Sequence, residues 1–498
     1  MAGETGVTNY RNYVGGKWRE TTTGRYVPNR NPANKEEILG KVPISSAAEA
    51  KEAVEEARKA LPSWSQLPWP VRGNYLFKLV RLMEADKENL ARLLTLEEGK
   101  TLKESLGEVQ KSINIVEFIA GETRRASGET TPSEMPSTFS YTIRQPLGVV
   151  ALITPWNFPV AIPCWKIVPA IAAGNTVVFK PATLTPSTAV RIVELIEEAG
   201  VPKGVVNLVF GSGGEVGEAL IQDEAVKAVS FTGSNEVGSR VYQLGAKRGI
   251  KVQCEMGGKN PVIVLGDADL ELAAEGTVQG AFGSTGQRCT ATSRAIVVEK
   301  VADKFVDLVL SKSRSIKVGH GIDPTVQMGP SVDESQFKTV LSYIEIGKKE
   351  GAKLILGGNR ITTPPLDKGN FAEVTIFDFV TPKMRIAKEE IFGPVLAIMR
   401  VKDLEEAIEV ANDVIFGLSS SIYTNDGAAM FKFIEKIETG ITHVNSPTVG
   451  GEAQLPFGGI KGTGIGTREQ GKTALEFYTE LKTVYIDYTG KKRDTSIY

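Results

Sequence analysis

Histidine and cysteine are almost missing from this 498-residue chain, which has two of the first and three of the second. Neither CxxC nor HxxxH occurs, so the donor spacings that hold structural zinc are lacking and no metal site is expected. The sparse, odd set of thiols (Cys164, Cys254 and Cys289) argues against a disulfide framework and suits a reducing compartment. Net charge is almost absent too, at −1 from 58 basic and 59 acidic residues, so no global field draws nucleic acid or an anionic membrane. Long hydrophobic runs are lacking: the longest lies near 149–153, far short of a bilayer span. The opening Met-Ala-Gly-Glu-Thr-Gly has no basic-then-apolar signal pattern, and the expected compartment is the cytoplasm.

What remains is an ordinary globular composition, 41% hydrophobic and 23% charged, long enough for about three domains. The first 145 residues read as mainly helical. In 46–61, Ser46 and Glu49 form a capping-box pattern, and Ala50, Val54, Ala57 and Leu61 recur on one face. A second helix is expected over 71–94, with Leu76, Leu79, Val80, Met83, Leu90 and Leu94 as its buried stripe. From Gly148, continuous apolar runs of strand length alternate with helical segments, at 149–154, 176–179, 205–210, 228–232 and 251–254. Continuous apolarity marks parallel strands covered on both faces. A second series follows at 261–265, 295–298, 354–356, 395–401, 419–423 and 442–444. Two doubly wound α/β domains are expected, with a boundary near Gly257-Gly258. The tail 474–488 reads as helix then strand, free to pair within the chain or with another subunit.

Cys289 lies in Gly-Ser-Thr-Gly-Gln-Arg-Cys-Thr (283–290), among small and polar residues rather than in an apolar run. Arg288 beside it is expected to favour the thiolate. Cys164 has the apolar setting of a core thiol, and Cys254 a strand end. A nucleophilic cysteine needs a base. Glu255 ends an apolar strand, where partial desolvation raises a carboxylate towards useful base strength. The bland alternative is a helix-cap or salt-bridge glutamate, and the rival base is His443. Asn157, in Thr-Pro-Trp-Asn-Phe-Pro (154–159), can donate to a developing oxyanion or simply shape a turn. Two glycine-rich turns follow strands. One, 211–217, has GxGxxxG spacing through Gly211, Gly213 and Gly217, not the dinucleotide fingerprint. The other, Phe231-Thr232-Gly233-Ser234, opens a helix and can seat a phosphate.

Taken together, these segments resemble the aldehyde dehydrogenase superfamily over essentially the whole chain. The resemblance rests on 154–159, 174–182 (GNTVVFKPA), 231–234, 255–261 (EMGGKNP), 286–289, 389–394 (EEIFGP) and 456–461 (PFGGIK). It implies a cofactor domain at 1–124 and 146–256, a catalytic domain at 257–470, and a β-arm at 125–145 and 471–498 that joins subunits into a dimer or tetramer. It implies that Cys289 attacks the aldehyde to give a thiohemiacetal, that Asn157 and the Cys289 backbone N–H hold the oxyanion, and that Glu255 activates the water hydrolysing the thioester. The implied cofactor residues are Thr154, Pro155, Trp156, Lys180, Ala182, Thr183, Gly213, Gly217, Phe231, Thr232, Gly233, Ser234, Gly257, Glu390 and Phe392. Thr183 stands where NAD-preferring relatives commonly carry glutamate, so NADP is the expected preference over NAD. The stretches 282–294, 343–351 and 468–472 with 476–478 resemble 2-oxoglutarate semialdehyde dehydrogenases, with Arg288 as expected receptor for a substrate carboxylate or, alternatively, a member of an internal salt bridge. Broad-range and succinate semialdehyde-type enzymes are alternatives. A coenzyme-A-acylating relative or a non-catalytic protein is disfavoured by the presence of Glu255 with Cys289 and Asn157.

Overall fold

The computed structural model describes residues 7–491. The opening hexapeptide and the end of the expected arm, 492–498, lie outside the described residues. Helix Ala47–Ser65 begins with the anticipated capping box: the Ser46 side chain accepts from Glu49 N, and the Glu49 carboxylate accepts from Ser46 N. The helix expected over 71–94 is two helices, Trp69–Ala85 and Lys87–Glu98. They meet at Asp86 (φ −98°, ψ 6°), whose carboxylate accepts from Arg191 at 2.9 and 3.2 Å. The apolar stripe runs through this bend, so periodicity could not reveal it. The reading of 1–145 as mainly helical also needs correction, because four strands, Asn12–Val14, Lys17–Arg19, Tyr26–Asn31 and Asn34–Pro43, precede the first helix. These short segments are strands because they pair with one another or add to a sheet edge, as Tyr13 does opposite Leu208.

The first large sheet carries five parallel strands in the spatial order 206–208, 176–180, 149–153, 226–232 and 251–255. Strand Val149–Ile153 is first in sequence and central in space, so the chain winds outwards from it in both directions. Apolar clusters cover both faces, one including Leu152, Ile167 and Phe179 and the other Val149, Val178 and Val229. The second sheet runs 353–356, 375–378, 395–401, 292–298, 260–264, 419–423 and 441–444, parallel except at its 353–356 edge. It is likewise packed on both faces. Gly464–Ile465 pairs antiparallel onto Lys251–Glu255, so residues from the expected second unit complete the edge of the first sheet. A third, three-stranded sheet joins Thr130–Pro132, Thr138–Pro146 and Thr479–Asp487. Among the described residues, no helix is long and apolar enough to cross a membrane.

Candidate active site

Strand Val149–Ile153 lies between Thr176–Lys180 and Val226–Thr232, and connections leave these neighbours in opposite directions. Ligands of open α/β sheets bind in the crevice at the carboxyl ends beside such a switch. Thr154, Pro155 and Trp156 leave the central strand there, Lys180 ends the second, Phe231 and Thr232 end the fourth, and Glu255 ends the fifth. Gly233 and Ser234 lead into helix Asn235–Arg248, whose N-terminus Ser234 caps by accepting from Val237 N. Gly213–Gly217 forms a single π-helical turn capped by Ser212. Gly213 lies at the exposed rim, whereas Gly217 is buried against Ile153 and Lys180.

The crevice holds unspent polar groups. The Thr154 and Thr232 hydroxyls are buried without a partner. Lys180 Nζ donates to the carbonyls of Pro181 (3.0 Å) and Gly211 (3.2 Å), leaving one of its three protons free. Burial lowers its pKa to about 8. Ala182 and Thr183 follow it, half-buried. On the far wall, Glu390 accepts from Gly258 N at 2.8 Å. Burial lifts the Glu390 carboxyl to about 7, against the lowering effects of that hydrogen bond and of Lys259. Gly257 permits this approach, since a Cβ there would sit 2.2 Å from Glu390 Oε2. Phe392 stands edge-on to Trp156 with ring centres 5.4 Å apart, bridging the two walls. Free hydroxyls, a lysine with a spare donor and a capped helix N-terminus fit a dinucleotide.

Cys289 follows three successive left-handed residues, Ser284, Thr285 and Gly286 (φ 49°, 59° and 65°). The turn is held by Thr285 Oγ1 donating to Gly329 O (3.0 Å) and Gln287 Oε1 accepting from Val332 N (2.9 Å). Asn260 Nδ2 donates to the Cys289 carbonyl at 2.8 Å. Asn157 is buried, and its amide donates to Gln287 O at 3.1 Å, leaving its second N–H for another acceptor. Its own carbonyl accepts from Lys100 Nζ at 2.6 Å. Glu255 is buried and accepts from Gly459 N at 3.1 Å. Burial, reinforced by the Glu469 carboxylate, holds its pKa well above the ordinary carboxylate range. His443 lies half-buried on strand Ile441–Val444, with Nε2 buried and without a hydrogen-bond partner.

Arg288 makes the internal contacts that are the alternative to a substrate role. Its guanidinium donates to Ser284 Oγ (3.0 and 2.8 Å) and pairs with Glu104 (3.2 Å), so it is engaged internally rather than presented to a substrate carboxylate. Nor does it favour the thiolate: burial and the Glu390 and Glu255 carboxylates push the Cys289 thiol up to about 12, and the opposing cation is Lys111. Sequence reasoning missed Lys111, along with the aromatic pair Trp165 and Phe457. Lys111 and Trp165 lie outside the motifs and are brought in by packing, whereas Phe457 sits within 456–461 and was passed over because its apolar ring carries no chemistry of its own.

A thiol at the mouth of a dinucleotide crevice, with a donor amide and a raised buried carboxylate, defines a cysteine-dependent aldehyde oxidoreductase. The chain belongs to the aldehyde dehydrogenase family, whose family model matches residues 18–484, and NAD(P)-dependent aldehyde oxidation is the activity that membership carries. It is 46% identical to the alpha-ketoglutaric semialdehyde dehydrogenase of Bacillus subtilis, over 97% of this chain and 99% of the relative. It is 49% identical to the 2,5-dioxopentanoate dehydrogenase of Saccharolobus solfataricus, over 94% of this chain and 98% of the relative. Among solved structures, betaine aldehyde dehydrogenase from Staphylococcus aureus in complex with NAD+ matches with a TM-score of 0.94 and 36% identity, over 97% of this chain and 95% of that one.

Proposed function

We propose that this enzyme oxidises 2-oxoglutarate semialdehyde, a small aldehyde bearing a carboxylate, to the dicarboxylic acid. The observation that carries the substrate reading is the near-complete alignment, at 46 and 49% identity, with two enzymes named for that substrate. The Cys289 sulfur adds to the aldehyde carbon, giving a thiohemiacetal. The free Asn157 amide proton and the Cys289 backbone N–H stabilise its oxyanion. The nicotinamide dinucleotide, when bound, supplies the two-electron acceptor that turns this adduct into a thioester. Thr154, Thr232, Lys180, Ser234 and Glu390 would hold it. Glu255 then takes a proton from water, the resulting hydroxide attacks the thioester carbon, and the acid leaves as the Cys289 thiolate is restored. A buried, raised carboxylate suits that base role near neutral pH. It also disfavours a coenzyme-A-acylating reading, which needs no such base.

NADP is the proposed preferred acceptor. Thr183 brings no carboxylate to repel a 2′-phosphate, and it lines a cavity of about 240 Å³ with Arg30, Lys35 and Glu334. The division into 1–124 with 146–256, 257–470 and an arm at 125–145 with 471–498 is supported by membership of the three sheets, apart from Gly464–Ile465. The deciding experiment is a steady-state panel of carboxylated and neutral aldehydes of equal length with both cofactors. The expected result is highest kcat/KM for 2-oxoglutarate semialdehyde with NADP. Higher values for neutral aldehydes would overturn the substrate reading.

A further inference from the structure

Helix Leu102–Glu122 turns Gly107, Lys111, Asn114 and Phe118, spaced three and four apart, towards one cavity of about 690 Å³. Residues 451–454 form the opposite wall. Inside it, Lys111 Nζ lies 5.2 Å from the Trp165 ring centre and 5.6 Å from that of Phe457. The two rings are themselves 5.4 Å apart. Phe457 precedes Gly458, where a Cβ would lie 2.2 Å from the Glu255 carboxylate. The two aromatic rings therefore lie beside the Lys111 wall of the cavity, and Phe457 is one residue from the glycine packed against the base. Lys111 and Cys289 also act on each other through their charges, the lysine lowering the thiol's pKa and the thiolate raising the lysine's.

The neighbouring cations are all satisfied. Lys100 pairs with Glu108 at 2.7 Å, Lys166 with Glu469, and Arg288 with Glu104. Lys111, among the described residues, has no ion pair within 4.0 Å and no hydrogen bond. A part-buried ammonium ion over ring faces, without an ion-pair partner, has donors to spare, and an anion entering the cavity would complete it despite Glu117 and Glu452 on the same lining. We infer that Lys111 is the specificity-determining residue that receives the substrate's carboxylate, with Trp165 and Phe457 flanking the carbon chain and the aldehyde end delivered to Cys289. This deepens the proposed function and rests on its reading of a carboxylated aldehyde.

The test compares the parent with Lys111→Met, which keeps the stem and removes the charge, and Lys111→Arg, which keeps the charge. Lys111→Gln is the second neutral variant should the methionine variant not fold. One readout is the ratio of kcat/KM for succinate semialdehyde and 2-oxoglutarate semialdehyde to that for butanal and pentanal. It should fall at least about tenfold in the neutral variants, mainly through KM, and be largely kept by arginine. The other readout is the rate of Cys289 inactivation by iodoacetate relative to iodoacetamide. Thiolate content cancels in that ratio, which should fall with the charge of residue 111. Equal losses for both aldehyde classes with an unchanged reagent ratio would overturn the inference and make Lys111 a support for the thiol. A parent that favours carboxylated aldehydes, with both ratios unmoved in the neutral variants, would overturn it while leaving the proposed substrate intact. A parent indifferent to the carboxylate, whose iodoacetate ratio still falls in Lys111→Met, would sink the substrate reading and leave the anion subsite standing.

Discussion

Burial raises the pKa of both Cys289, the proposed nucleophile, and Glu255, the proposed base. As the proposed base, Glu255 would act only when ionised, so hydrolysis should be held back below its raised pKa and gain rate as pH climbs through it. The kcat profile should show an acidic limb above the usual carboxylate range. Glu255→Gln should remove that limb, slow turnover by about 10²–10⁴-fold, and leave a burst of reduced cofactor in rapid mixing. Normal steady-state rates in that variant would move the base role elsewhere, with His443 the first candidate. Cys289→Ala should lower turnover by at least about a thousandfold while cofactor still binds, as read by fluorescence titration. Retained turnover would point to another thiol, although burial pushes Cys164 and Cys254 to about 12 as well. Thr183→Glu should shift the NADP-to-NAD ratio of kcat/KM towards NAD by more than about tenfold, because the new carboxylate meets the 2′-phosphate with like charge. An unchanged ratio would place the choice of cofactor at other residues.

The elements around the site are tied together by glutamates that local sequence rules do not flag. Helix Pro186–Glu198 has no side-chain cap of its own at Thr185. Glu97, from the end of helix Lys87–Glu98, accepts from Ser187 N (2.8 Å) and Thr188 N (3.0 Å) and from both hydroxyls. Glu108 serves helix Ala161–Ala172 in the same way through Val160 N (2.9 Å) and Ala161 N (3.1 Å), while pairing with the Lys100 that grips the Asn157 carbonyl. These carboxylates satisfy the orphan N–H groups of helix N-termini from a distant part of the chain. Glu97→Ala should therefore cost roughly 1.5–3 kcal/mol in unfolding experiments, since it strands buried donors. A change within experimental error would mean that water replaces the carboxylate. The capping box at Ser46 and Glu49, by contrast, was legible because both partners lie three residues apart. The break at Asp86 was not, because the apolar stripe continues across it and the restraining Arg191 is about a hundred residues away.

At the scale of the whole molecule, the three-stranded sheet carries exposed apolar side chains at its rim. Strand Thr479–Asp487 pairs on one side with Thr138–Pro146 and forms the edge of its three-stranded sheet, with Leu481 58% and Tyr485 69% exposed on one face. Exposed apolar side chains on a strand at the rim of a sheet are the kind of surface another chain covers. With the arm read as the subunit joint, Leu481→Asp combined with Tyr485→Asp should move the mass in light scattering to a smaller species. An unchanged mass would place the joint on another surface.

The sequence by itself determined the two α/β series, most of their strands, and the motifs carrying Cys289, Glu255 and Asn157. These are local facts: apolar runs fix buried strands, and backbone-demanding glycines sit beside the residues they position. Only the tertiary structure decided which charges are free. Arg288 adjoins the nucleophile in sequence, yet Glu104 and Ser284 engage it. Lys111 is far from every motif, yet helix Leu102–Glu122 brings it over the rings of Trp165 and Phe457. Whether a charge is spent or available depends on what packs within a few ångströms of it, and for these residues the partners come from other elements.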